Sequence, residues 1–135
     1  MTRALPLPAS PAELAGATWE DLVPHFEALE AMPLDTEEAV EEWLTAWSRL
    51  EELVSEASSL AMIAWTCDTG SGPKEAEHLR WSTGIMPLAE ERSVRLARRL
   101  VDHGSERPDL DYTLRRFRAA IEVFHPDNVP ILAEL

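Results

Sequence analysis

The sequence predicts an all-α protein, arranged as antiparallel helical hairpins in a bundle of about four helices. Apolar residues recur every three or four positions through most of the 135 residues, which is the spacing of one helix face. The chain has only 5 glycines, and no run of alternating β-branched residues suggests a strand. Its length fits one domain, and its 45% of hydrophobic residues is enough for a core.

Residues 1–17 are predicted to form an extended or mobile arm, because three prolines within six positions disfavour a helix. The same prolines interrupt the apolar stretch that a signal peptide would need. The first helix should begin after Thr18, which together with Asp21 resembles a capping box. It should end near Met32 and Pro33.

The second helix has the strongest pattern and should run from about 36 to 67, capped by Asp35 or Thr36. Such a helix would be roughly 45 Å long and would need a neighbour along its whole length. Its glutamates, Glu51 included, are expected on the other faces. The predicted apolar stripe consists of Trp43, Trp47, Leu50, Val54, Ala57, Ala61 and Ala64.

A glycine-rich turn precedes the third helix, which should start at Pro73 or Lys74 and stop at Gly104. Gly84 and Pro87 should kink or break it, since a proline cannot donate to the carbonyl four residues earlier. The residues expected to mark its apolar side are Leu79, Ile85, Met86, Leu88, Val94, Leu96, Ala97, Leu100 and Val101.

A fourth helix should open at Asp109 or Asp111 and end at His125. Its apolar face would be Leu110, Leu114, Phe117, Ile121 and Phe124. Asn128 can cap one more segment, but Leu135 follows only about one turn later. Because a single turn does not repay the cost of nucleating a helix, we expect the natural protein to continue past Leu135.

The charge and the cysteine count exclude several functions. Residues 1–70 carry 14 acidic and 2 basic side chains, and the whole chain has a net charge of −13. Such a chain repels phosphate, so we expect no nucleic-acid partner and no binding to an anionic membrane surface. Cys67 is the only cysteine, which precludes an intrachain disulfide and fits a reducing cytoplasm. No apolar stretch approaches the ~20 residues that span a bilayer.

No catalytic, cofactor-binding or metal residue is predicted in this chain. None of the four histidines belongs to a His-Glu-x-x-His motif. They are His25, His78, His103 and His125. Cys67, Glu75 and His78 match no common zinc spacing, so a surface histidine is the simpler interpretation. Cys67 is expected to be a buried or half-buried structural cysteine, because no discernible base or oxyanion site suggests a nucleophile.

The tryptophans are expected to serve packing. Trp43 and Trp47 lie one turn apart on the stripe of the second helix and should belong to the core. Trp65 and Trp81 flank the glycine-rich turn and should pack across it. A groove for peptides is the less favoured alternative.

Several short motifs occur in a fixed order along residues 18–135. They are Trp19-Glu20-Asp21-Leu22, Glu42-Trp43-Leu44, Ser55-Glu56-Ala57, Thr66-Cys67-Asp68-Thr69, Ile85-Met86-Pro87 and the closing run from Phe124 to Leu132. Their order and spacing resemble the N-terminal region of the oligoendopeptidase F family, relatives of thimet oligopeptidase.

The resemblance implies a longer, mostly helical protein in which this region is one wall of a deep substrate channel. A later catalytic domain would hold zinc through a His-Glu-x-x-His motif and cleave short peptides inside cells. None of those catalytic residues has a matching position here, so this chain alone is expected to be inactive, with zinc confined to the missing domain.

Two functions are therefore considered. The chain is either the non-catalytic N-terminal part of a zinc metallopeptidase or a stand-alone helical interaction module. Its partner would be the missing catalytic domain or, through the exposed apolar stripe, a second copy of itself, with peptides bound only by the intact enzyme.

Overall fold

The computed structural model describes residues 5–106, with side-chain detail for all of these except 101 and 103–106. Within this part of the chain every regular element is helical, which confirms the predicted all-α class. The elements are a 3₁₀ turn (Pro11–Leu14), α1 (Trp19–Ala31), α2 (Glu37–Cys67) and a third helix in three consecutive parts: α3 (Gly72–Leu79), a π-helical segment (Arg80–Ile85) and α4 (Met86–Glu106).

The arm before α1 is more ordered than the prolines suggested. Residues 11–14 form one 3₁₀ turn, and Leu14 is buried against the helices. Pro11 opens this turn at a position where no backbone donor is needed, so its ring does not oppose helical geometry. Glu13 closes the turn by accepting a hydrogen bond from the Ser10 N–H at 3.0 Å. The expectation of an extended or mobile arm is thus corrected for this turn.

The start of α1 is the predicted one. The carboxylate of Asp21 accepts hydrogen bonds from the Thr18 N–H (2.9 Å) and from the Thr18 hydroxyl (3.1 Å). The helix ends at Ala31, with Met32 as its C-cap, which confirms the predicted end. Leu22, Phe26 and Leu29 form its buried side.

The long second helix also matches its prediction. Thr36 caps it by accepting a hydrogen bond from the Ala39 N–H at 3.1 Å, and its 31 residues extend to Cys67. At ~1.5 Å per residue, α2 is about 46 Å long. All residues of the predicted stripe are buried except Ala64, which is only half-buried.

The third helix passes Pro87 without a break. The predicted irregularity is present, but it is the π-helical segment rather than an interruption. Here the Met86 N–H donates to the Trp81 carbonyl, five residues earlier. The wider turn shifts the hydrogen-bond pairing by one residue just before Pro87, which has no N–H to continue the usual pattern. The helix then extends through Gly104 to Glu106, two residues beyond the predicted stop.

The third helix contacts α2 in reverse chain order. Near one end of α2 the ring of Trp65 stacks on His78, with 4.8 Å between ring centroids. Near the other end the guanidinium of Arg99 lies 5.7 Å from the ring centroid of Trp43. The predicted fourth helix from Asp109 or Asp111, and the segment capped by Asn128, lie outside the described residues. No helix in the described part is long and apolar enough to cross a membrane.

Arg99 secures the C-terminal end of α1. Its guanidinium donates to the Leu29 carbonyl at 2.7 Å and to the Met32 carbonyl. The indole N–H of Trp43 also donates to the Leu29 carbonyl, at 2.7 Å. Because α1 has no basic residue in its last turn, these donors from other helices satisfy carbonyls that the helix leaves unpaired.

Replacing Arg99 with methionine should lower the free energy of unfolding by about 2 kcal/mol, since charged donors contribute about 1.5–3 kcal/mol. Urea unfolding of the full chain measures this change. Arg95→Met is the control, because Arg95 is exposed and its ion pair with Glu91, one turn away, contributes about 0.5 kcal/mol or less. Equal losses for both variants would contradict the capping role.

Candidate interaction site

An apolar groove lies between the arm, the second half of α2 and the π-helical segment. Its volume is about 350 Å³. Ala57, Ala61 and Ala64 line it from α2, at spacings of four and three residues that place them on one side of the helix. Leu14 of the arm and Trp81 of the π-helical segment also line it. Small side chains on α2 thus leave a recess beside larger apolar ones.

The arm is held over α2 and α3 by polar contacts to its backbone. The Gly16 N–H donates to the Glu77 carboxylate at 3.0 Å, and the Arg80 side chain donates to the Ala17 carbonyl at 2.9 Å. Closer to the N-terminus, the side chain of Arg49 in α2 donates a hydrogen bond to the Ala9 carbonyl at 3.0 Å. Because the arm supplies part of the groove lining, these contacts help to define the groove.

Glu77 is the centre of this attachment. Its carboxylate accepts hydrogen bonds from the Gly16 N–H and from the Trp81 indole, each at 3.0 Å, and forms an ion pair with Arg80. Partial burial alone would raise the pKa of Glu77, but these hydrogen bonds and the charge of Arg80 outweigh it and lower the pKa. Glu77 therefore stays ionised at neutral pH and keeps all three contacts.

Gly16 has a backbone geometry that suits glycine. Its φ is +81°, in the left-handed region that other residues enter only with strain. We expect Gly16→Ala to destabilise the folded chain by about 1–2 kcal/mol, because a Cβ is disfavoured in this region. Urea unfolding measures the change. Gly70→Ala is the matched control, since neither glycine has a neighbour that a Cβ would meet and Gly70 lacks a positive φ. A loss as large in the control would refute the explanation.

Exposed apolar side chains continue outward from the groove. Leu60 lines it and is 46% exposed, and Ile63, one turn further along α2, is 54% exposed. Leu79 was expected to mark the apolar side of the third helix, but it is 47% exposed. The expectation for Leu88 and Val94 is also corrected, because both are exposed in α4. Only part of the apolar pattern therefore faces the core.

The two predictions about the tryptophans have different outcomes, and the first of them is confirmed. Trp43 and Trp47 are fully buried, with 5.2 Å between their ring centroids, as expected for core residues. Trp65 packs across the turn onto His78 rather than onto Trp81. Trp81 instead lines the groove, and its indole N–H donates a hydrogen bond to the carboxylate of Glu77, one turn earlier. The sequence pattern identified the tryptophans as packing residues but did not identify their partners.

A buried carboxyl group is the feature that the sequence analysis missed. Glu51 was expected on an outer face, yet its side chain is fully buried between α2 and α4. It accepts hydrogen bonds from the Trp47 indole at 2.7 Å and from the Ser93 hydroxyl. Burial raises the pKa of Glu51 to about 7, against the lowering effect of both hydrogen bonds, and the nearby charge of Glu90 adds to the rise.

A signal for this burial exists in the sequence. Glu51 follows Leu44 by seven residues and Trp47 by four, which places all three on one side of α2. Val40 extends the same side and is also buried. The buried surface of α2 is therefore wider than a single heptad stripe, and Glu51 lies within it.

The candidate metal and nucleophile residues lie in different surroundings. His78 stacks on Trp65. The expected burial of Cys67 is wrong, because this residue at the end of α2 is exposed. His25 is half-buried, its Nδ1 has no hydrogen-bond partner in the part of the chain that the structure describes, and burial lowers its pKa. His103 lies within α4 and His125 outside the described residues. Among the described side chains, no group of three or more His, Cys, Asp and Glu is arranged to hold a metal.

Comparison with known proteins gives no relative for this chain. No protein-family profile, no curated protein and no solved structure matches it.

Proposed function

We propose that this chain is the non-catalytic N-terminal helical part of an oligoendopeptidase F-like zinc metallopeptidase and forms one wall of its substrate channel. In the complete helical unit, antiparallel hairpins would make a bundle of about four helices. The intact enzyme would hydrolyse short peptides in the cytoplasm, and its zinc would be bound by the catalytic domain.

The observation that carries this proposal is the open apolar groove on an otherwise well-packed helical layer. A wall of a peptide channel needs a rigid surface with recesses for apolar side chains. The long helix α2 supplies rigidity through its buried aromatic residues, and its second half carries the groove. Leu60 and Ile63 present additional apolar surface that a covering domain or a peptide would bury.

Reading the source gene past the codon for Leu135 tests the proposal directly. We expect the frame to continue into a segment that encodes His-Glu-x-x-His. The longer product should then cleave short peptides in an EDTA-sensitive manner, whereas the 135-residue chain should not. A stop codon directly after Leu135, or robust EDTA-sensitive cleavage by the purified chain, would overturn it.

A second candidate is a stand-alone helical interaction module. The same groove favours it, because an apolar recess beside exposed leucine and isoleucine side chains can accept a helix from a partner. Self-association through this surface is the alternative form of the same function. Sedimentation of the chain over a range of concentrations distinguishes self-association from binding of a different partner, since only self-association makes the mass depend on concentration.

A further inference from the structure

We propose that the groove binds a cationic amphipathic helix from another polypeptide. The inference rests on the interaction-module function and deepens it by naming the chemistry of the partner. It requires neither a catalytic domain nor a peptide substrate.

The shape of the groove suits a helix rather than an extended strand. The three alanines on α2 form a row of small side chains, which lets a partner backbone approach closely. A volume of about 350 Å³ accommodates one or two large apolar anchors, and ligand pockets begin at about 300 Å³. Leu60 lines the groove and Ile63 follows it by three residues, so apolar contact continues along α2 for a further turn.

The charge beside the groove selects a positive partner. Glu13 and Glu56 are both exposed and are direct chain neighbours of lining residues. Neither takes part in an ion pair among the described residues. Glu77, which lines the groove, is already compensated by Arg80. The remaining negative charge would therefore attract lysine or arginine side chains that flank the apolar face of a helix.

Charge on the rest of α2 acts in the same direction. Apart from the buried Glu51, this helix carries six glutamates and a single arginine, Arg49, which is itself paired with Glu52. Exposed negative charge along α2 raises the local concentration of a cationic partner and disfavours an anionic one. A second copy of this acidic chain is for the same reason a poor occupant.

The test uses three synthetic helical peptides with an identical apolar face and with lysine, glutamine or glutamate at the polar positions. Each is labelled and titrated with the full 135-residue chain, and binding is followed by fluorescence anisotropy. We expect the lysine peptide to bind at least ~10-fold more tightly than the glutamine peptide, and the glutamate peptide to bind weakest. The preference should shrink in about 0.5 M salt.

Variants of the chain locate the binding site. Ala61→Trp fills the groove and should weaken binding of the lysine peptide about 10-fold or more, whereas Ala31→Trp, at the exposed end of α1, should not. If Ala61→Trp impairs folding, Leu60→Lys provides an independent test, because it changes a position that is about half exposed. This variant should also weaken binding of the lysine peptide. Replacing both Glu13 and Glu56 with glutamine should reduce the preference for lysine while leaving the glutamine peptide unaffected.

Different failures have different meanings. If the glutamine or glutamate peptide binds through the groove as tightly as the lysine peptide, the inferred charge preference is wrong but the interaction module stands. Equal weakening by Ala61→Trp and Ala31→Trp would remove the groove as the site. If no peptide binds and the chain is a monomer at every concentration, both the inference and the interaction module are overturned.

Discussion

Replacing Trp47 with alanine should lower the free energy of unfolding by about 3–5 kcal/mol, the range for removing a large aromatic side chain from a core. Trp47 is fully buried in α2 and packs against the ring of Trp43. Its indole also donates to Glu51, so the substitution leaves a buried carboxyl group with one donor fewer. The loss of packing and the loss of the hydrogen bond both lower the free energy of unfolding.

Urea unfolding of the full chain, followed by circular dichroism, measures this loss. Trp47→Phe retains most of the ring but removes the donor, so its smaller loss separates hydrogen bonding from packing. Trp65→Ala is the control, because Trp65 is only half-buried and stacks on a single histidine. A loss below about 1 kcal/mol for Trp47→Ala would mean that the core does not depend on this side chain.

Replacing Glu51 with glutamine should stabilise the chain above neutral pH and have little effect in acid. In the unfolded chain the carboxyl group titrates near the ordinary glutamate value of 4.5, whereas in the folded chain its pKa is raised to about 7. Between these values the folded state binds more protons, so stability falls as the pH rises through this window. Above it, the ionised carboxylate costs about 3 kcal/mol, because each pKa unit corresponds to about 1.4 kcal/mol.

The difference in unfolding free energy between Glu51→Gln and the unmodified chain should therefore be small near about pH 5 and approach about 3 kcal/mol near about pH 8. Urea unfolding at a series of pH values gives this difference. Glu52→Gln is the matched control, because Glu52 is the next residue, is partly exposed and pairs with Arg49. A difference that does not change with pH would show that Glu51 titrates normally in the folded chain.

Much of the helical framework follows from local sequence. Thr18 was recognised as a cap from its residue type, and Thr36 as one of two candidates with Asp35, because an N-cap is a contact with the backbone only two or three residues away. The extent of α2 and the burial of Trp43 and Trp47 followed from helical spacing. The caps and the extent of α2 depend on interactions within one element, which a single sequence records. The spacing of Trp43 and Trp47 indicates the buried face of α2 but does not identify the helices that cover it.

Features that depend on contacts between elements were not predicted. Just after its 3₁₀ turn, the arm is attached through Gly16 and Ala17 to Glu77 and Arg80, more than sixty residues away, so the prolines alone gave no indication of its position. The groove exists only because this turn lies beside the alanines of α2 and beside Trp81. Nothing in the local pattern of any one of these segments indicates the other two.

The sequence by itself therefore determined the helical class, the caps and the main apolar stripe of this protein. Only the tertiary structure decided that Ser93 of α4 covers the Glu51 carboxyl group, that Arg99 satisfies the end of α1 and that Leu60 remains open to solvent. The physical reason is that helical periodicity ranks faces by their apolar content, whereas burial depends on which neighbour covers each face. A carboxyl group with donors from Trp47 and Ser93 can be covered, and a leucine beside a groove can be left exposed.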